Sequence, residues 1–189
     1  MSIKKLFLCG FASLLLNCQL YAASSPPGIS IARGFSGVDN MSGFSLAGQL
    51  YWNNLLQLGK NWQLTGYWNG ELAYWYADKA NGDSYTNLTT LTVSPVLRIQ
   101  RQFAYDNGIA PFVDLGWGVA WMNHKEFKRQ KLGSHFNFVM SIGAGINFGS
   151  QMQYDVAYHY LKFTNAGLSK NNDGLYVNTI SFTYHFAEH

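Results

Sequence analysis

A chain of 189 residues with 12% charged residues and a formal charge of +3 is long enough for one domain of moderate size, and too weakly basic for a nucleic-acid surface. Its two cysteines, Cys9 and Cys18, both fall within the first 22 residues, so the remainder offers no disulfide, thiolate ligand or thiol nucleophile. Twelve Tyr, thirteen Phe and six Trp are many for this length, and aromatic girdles at two membrane interfaces account for them.

Residues 1–22 have the parts of a secretory signal peptide. Lys4 and Lys5 give the positive start, residues 6–16 the apolar run, and Tyr21-Ala22-Ala23 the small-residue cleavage region, with the cut expected after Ala22 or Ala23. The apolar run is too short to cross a bilayer as a helix. A lipidated Cys18 is the alternative, and Asn17 is a poor residue to precede it. Loss of Lys4 and Lys5 lowers the formal charge to +1. A chain without cysteine also avoids mispairing in an oxidising periplasm.

From Gly28 onward the sequence alternates with period two, as strands do when successive side chains face opposite sides. Small residues over 28–37 predict the first strand. In the second, Phe44, Leu46, Leu50 and Trp52 oppose Ser45, Ala47, Gln49 and Tyr51. The third sets Trp62, Leu64, Trp68, Leu72, Tyr74 and Tyr76 against Gln63, Thr65, Asn69 and Glu71. Leu91, Val93, Leu97 and Ile99 mark the fourth, against Thr90, Thr92, Ser94, Arg98 and Gln100. Val113, Leu115, Trp117, Val119 and Trp121 mark the fifth, against Asp114, Gly116, Gly118 and Ala120. The sixth opposes Phe136, Phe138, Met140, Ile142, Ala144, Ile146 and Phe148 to His135, Asn137, Ser141, Gly143 and Asn147.

Two closing runs complete the set. Met152, Tyr154, Val156, Tyr158 and Tyr160 share one face of the seventh; Tyr176, Asn178, Ile180, Phe182, Tyr184 and Phe186 share one face of the eighth. Their other faces are small and polar. A soluble sheet would turn the aromatic face to a core, whereas a membrane barrel turns it to lipid and encloses the polar face.

The expected fold is therefore all-β: an eight-stranded antiparallel transmembrane β-barrel of the bacterial outer membrane, formed by residues 23–189 as a single domain. Each run is near the roughly 9–11 residues that a tilted strand needs to cross the hydrocarbon layer. Eight strands leave a lumen that side chains fill, which disfavours a transport channel. Glu71, Arg98 and Asp114 fall on enclosed faces, where they can pair. No helical period of useful length interrupts the pattern.

The connections set the orientation. Short turns at 103–107 and 149–150, with a longer one at 53–61 that fits less well, belong at the periplasmic end, and the loops 38–42, 77–85, 122–134 and 165–174 belong outside. The third outer loop carries Lys125, Lys128, Arg129 and Lys131. Simple charge complementarity would bring these cations to lipopolysaccharide phosphates; the alternative is a solvated loop charged for solubility.

Three segments carry a family resemblance. Leu91-Thr-Val-Ser-Pro-Val-Leu-Arg98 is followed by Ala110-Pro-Phe-Val-Asp-Leu-Gly-Trp-Gly-Val119; the run from Leu132 to Gly149 comes next, and Thr164-Asn-Ala-Gly-Leu168 with Asn172-Asp-Gly174 closes the series. Together they resemble the lipid A 3-O-deacylases, also called the acyloxyacyl hydrolase family, over most of the chain beyond the signal. The resemblance implies an eight-stranded outer-membrane barrel with a serine-esterase site on its outer, lipid-facing wall. Lipid A and the surrounding lipids would be its partners, with no cofactor. The family pattern is a His, any residue, then Ser-Asn-Ala-Gly, with an acid on the next strand. Here the serine position is Thr164, the histidine position Lys162 and the acid position Tyr176, so all three members of the triad are replaced. Asn165, Gly167 and Asn172 match the family's oxyanion-side and loop-shaping residues.

Parity reaches the same place, because Lys162, Thr164 and Tyr176 all fall on the outward face at the loop end of neighbouring strands. His159 is a substitute base only if a bulge turns it outward; otherwise it is a lumenal, hydrogen-bonded histidine. The spacing of His124, His135, His159, His185 and His189 does not suit a metal site. Gly143-Ala-Gly145 reads as close backbone packing within a strand. Two functions follow: a lipid A deacylase-like esterase with a divergent site, or a non-catalytic structural or lipopolysaccharide-binding barrel.

Overall fold

The computed structural model describes residues 27–37, 40–52 and 55–186, so the expected signal segment 1–22 lies outside the described residues. Eleven strands occur among them: β1 (Gly28–Ser36), β2 (Met41–Tyr51), β3 (Leu56–Leu58), β4 (Trp62–Tyr76), β5 (Asn87–Arg101), β6 (Ile109–Met122), β7 (Glu126–Phe127), β8 (Gln130–Lys131), β9 (Phe136–Phe148), β10 (Tyr154–Thr164) and β11 (Leu175–His185). The order β2-β1-β11-β10-β9-β6-β5-β4 closes on itself through β2–β4 pairing, and every ladder is antiparallel. The result is an eight-stranded barrel with no exposed edge along its wall, the form in which strands satisfy their backbone groups within lipid.

Alternation decides which way the wall faces. Ile31, Phe44, Leu72, Val93, Leu115, Phe136, Met140, Ile142 and Ile180 all point outward and are exposed. Such a continuous apolar belt is untenable in water and natural against acyl chains. The outward sets read for the second to eighth strands hold within those strands, Met152 alone of the seventh set falling in the turn before its strand (φ 51°), and Glu71, Arg98 and Asp114 face the lumen with Asp155 and His159.

The lumen is divided. Its inner half holds an ionic cluster centred on Arg98, whose Nε lies 2.8 Å from Asp114 and whose Nη1 lies 2.7 Å from Asp155. Tyr67 donates to Asp114 at 3.0 Å, Asn147 donates to Asp155, and the Arg98 guanidinium rests 3.7 Å from the Phe112 ring centroid. Buried charge survives there because each carboxylate has several donors.

Its outer half is apolar. Met41, Trp75, Leu88, Met122, Phe127, Leu132, Phe163, Leu175 and Val177 pack into one buried cluster. Each large member contributes about 1.5–3 kcal/mol relative to exposure to water. Trp75 fits because Gly34 and Gly43, facing each other on β1 and β2, make a seat: a Cβ on either would fall 2.2 or 2.3 Å from the indole.

Two connections differ from the expected plain loops. The turn 53–61 includes β3, which extends the β4 hairpin at the inner end. The third outer loop folds into the β7–β8 hairpin, which turns Phe127 and Leu132 down into the barrel. That hairpin seals the outer mouth, so the expected small, polar lumen is found only in the inner half.

Candidate functional site at the outer rim

The loop joining β10 to β11 begins with a tight turn. Leu168 N–H donates to Asn165 C=O at 3.0 Å, and both central residues, Ala166 (φ 53°) and Gly167 (φ 78°), are left-handed. This is the type I′ signature, for which glycine is favoured and alanine is not. Side chains over-determine the turn. Asn165 is fully buried; its amide donates to Leu132 C=O at 2.9 Å and to Asn171 C=O at 2.6 Å, while its Oδ1 accepts from Gly167 N–H at 2.9 Å.

Thr164 sits at the head of this turn. Its hydroxyl lies 3.1 Å from Asn172 Oδ1, to which it donates, and 3.0 Å from Asn172 Nδ2, from which it accepts. Ala166 N–H also donates to it at 3.1 Å. Asn172 Oδ1 takes Asn165 N–H as well, at 3.0 Å. The backbone donors of residues 165–168 are thus all used within the loop.

Lys162 and Tyr176 are direct register partners on β10 and β11. The Lys162 ammonium stands 5.4 Å from the Tyr176 ring centroid, and Tyr160 stacks on the same ring at 6.1 Å. Lys162, Thr164 and Tyr176 therefore share one outward patch at the rim. Among the described residues, Thr164 has no histidine or carboxylate hydrogen-bonded to its hydroxyl. His159 faces the lumen and places Nε2 3.2 Å from Asp114 Oδ2.

The four cations of the third outer loop sit in different surroundings. Lys128 is buried, with φ 54°, and its ammonium lies 3.6 Å from Asp83. Arg129 is exposed, 3.7 Å from the same carboxylate, and also donates to Asn81 C=O. Lys125 and Lys131 are exposed. Lys131 also ties the hairpin to the site loop, since its N–H donates to Asp173 Oδ2 at 2.7 Å and its C=O accepts from Asp173 N–H at 3.1 Å. Lys128 therefore anchors the hairpin to the neighbouring loop, a role that sequence alone did not suggest.

Residues 42–187 match the family model described as lipid A 3-O-deacylase (PagL). The lipid A deacylase PagL of Pseudomonas aeruginosa is 34% identical over 174 residues, covering 92% of this chain and 94% of the relative. The lipid A deacylase PagL of Bordetella bronchiseptica is 24% identical over 183 residues, covering 95% of each. The crystal structure of the outer membrane enzyme PagL superposes with a TM-score of 0.73 at 27% identity, covering 84% of this chain and 99% of that one.

Proposed function

The chain belongs to the lipid A 3-O-deacylase (PagL) family, and from that premise we propose that it is an outer-membrane barrel that holds lipid A at the Lys162–Thr164–Tyr176 rim without cleaving its 3-linked acyl ester. Family membership supports the ligand and its place on the wall. The state of Thr164 supports the loss of chemistry.

Acyl transfer needs a nucleophile, a base within hydrogen-bond reach and donors for the oxyanion. Thr164 supplies a hydroxyl, but its partners are an amide and a backbone N–H, neither of which takes up a proton. Lys162 is exposed, and an ammonium beside lipid phosphates has no lone pair for the threonine proton. The buried Asn165 spends both amide hydrogens on loop carbonyls, so it shapes the loop instead of receiving an oxyanion. Lys162 and Tyr176 form a cation–aromatic pair suited to a phosphate and a sugar ring.

A second reading rests on the retained Asn165-Ala166-Gly167 turn and Asn172: a slow esterase using Thr164. One experiment separates the two. Lipid A is extracted from cells with and without the chain and weighed by mass spectrometry, while binding of lipid A to the purified barrel is measured in parallel. Binding with an unchanged acyl pattern supports the proposal. Loss of a 3-linked acyl group that disappears with Thr164→Ala supports the esterase. Loss that survives both Thr164→Ala and Lys162→Ala refutes the site.

A further inference from the structure

The outward faces of the eight barrel strands carry three charged side chains among the described residues, and all are cations: Arg33, Arg101 and Lys162. Arg101 ends β5 at the inner rim, where it donates to Phe103 C=O. Lys162 belongs to the site above. Arg33 is the unexplained one.

Arg33 lies in the middle of an apolar row. Its register partners are Phe44 on β2 and Ile180 on β11, both exposed to lipid. A cation on the lipid face costs about 2–4 kcal/mol at the midplane and nearly nothing at an interface. Arg33 escapes by snorkelling outward across β2. Its Nη2 donates to the hydroxyl of Tyr76, the last residue of β4, at 3.0 Å, and the guanidinium stands 5.7 Å from that ring's centroid. One of its five N–H donors is thereby used, and the outward faces of the barrel strands hold no carboxylate to pair with it.

The surroundings repeat the Lys162 arrangement. A cation beside a tyrosine occurs twice at the outer rim, Lys162 with Tyr176 and Arg33 with Tyr76. Between the two pairs run Tyr158 and Asn178, hydrogen-bonded to each other, and Phe35. This strip occupies β10, β11, β1, β2 and β4 only. On the opposite side, the outward positions near the outer ends of β5, β6 and β9 are Asn87, Thr89, Leu91, Trp121, Phe136 and Phe138, with no charge.

We infer that Arg33, oriented by Tyr76, is a second phosphate-binding position on the lipid-facing wall, and that its ligand is a phosphate of the glycolipid that Lys162 also contacts. The inference rests on the lipid A reading given above and extends it from one cation to two. A planar guanidinium offers paired donors to phosphate oxygens, and the low dielectric of the interface strengthens the contact.

The test uses the whole barrel refolded in neutral phospholipid vesicles, with lipid A bearing or lacking its phosphates as the probe. Arg33→Gln should weaken binding of phosphorylated lipid A on the order of tenfold and leave the dephosphorylated form unchanged. Arg33→Lys should recover part of the loss, and Tyr76→Phe should weaken binding severalfold by releasing the guanidinium. Heat-modifiable mobility on a gel confirms that each variant is folded. Equal weakening of both lipid forms, or none by Arg33→Gln, overturns the Arg33 assignment while leaving the Lys162 rim intact. A wild-type barrel that binds neither form overturns the lipid A reading itself, and the second position with it.

Discussion

The imidazole of His159 occupies the space that Gly143 leaves by lacking a side chain. A Cβ at Gly143 would lie 2.1 Å from His159 Cδ2. The two are register partners on β10 and β9, and Gly143 is opposite Asp114 on β6. The ring thus crosses β9 on the lumen side and reaches Asp114, directed away from the Thr164 rim. Gly143→Ala should force the ring off its seat and destabilise the barrel by about 1–3 kcal/mol, as overpacking does. Equilibrium urea unfolding in lipid vesicles measures this, and an unshifted midpoint would mean the ring has room to move.

The Arg98 cluster predicts a non-additive series. Arg98→Met leaves Asp114 and Asp155 buried, with the imidazoles of His159 and His185 at 3.2 and 3.1 Å as their remaining titratable neighbours in ion-pair range. Breaking one side of such a buried pair typically costs about 3–5 kcal/mol. Neutralising the carboxylates as well, in Arg98→Met/Asp114→Asn/Asp155→Asn, should recover most of that loss. The same unfolding assay checks it. A triple variant whose cost equals the sum of the single costs would show that the groups are not coupled.

Asn165 joins the site loop to the hairpin that seals the mouth. Asn165→Ala deletes its bonds to Leu132 and Asn171 and orphans Gly167 N–H. Hydrogen exchange in residues 123–135 and 165–174 should then quicken by roughly tenfold or more, since each 1.4 kcal/mol of lost local stability is a factor of ten. The lower barrel, held by Arg98, should exchange as before. Uniform acceleration would mean that Asn165 supports the whole fold.

Parity made the wall and the rim legible because lipid and lumen demand opposite side chains at alternate positions. The family resemblance singles out Lys162, Thr164 and Tyr176, parity sets all three on the outward face, and the β10–β11 register puts Lys162 opposite Tyr176. The outer lumen was not legible. Tyr74-Trp75-Tyr76 and Leu161, Phe163, Leu175 and Val177 are apolar on both sides of the wall, so alternation carries no signal there. Nor does local sequence report that β7–β8 folds inward, because Phe127 and Leu132 meet Trp75 and Phe163 only through long-range packing. Lys128 read as one loop cation of four, and local sequence does not report that it is held inward against another loop, by backbone bonds to Ser84 and Tyr85 and by the Asp83 carboxylate. Arg33 was concealed by the small residues of its strand.

Rebuilding the family's triad tests whether the rim differs from an active one only at its three replaced positions. Lys162→His and Tyr176→Glu place the new pair directly opposite each other across β10 and β11, where the carboxylate can hold the ring. Thr164→Ser sits two residues along the same face, where the ring's other nitrogen would serve as base. The lost cation–aromatic contact is exposed and worth about 0.5–1 kcal/mol, so the barrel should still fold. Members of a triad act as a unit, so Thr164→Ser alone should gain nothing, whereas the triple variant should release 3-linked acyl chains that the wild type leaves in place. Mass spectrometry of lipid A reads the outcome. A triple variant that binds lipid A yet leaves the ester whole would move the cause to the turn, where every backbone N–H of residues 165–168 is already bonded within the loop and none is left to receive the oxyanion.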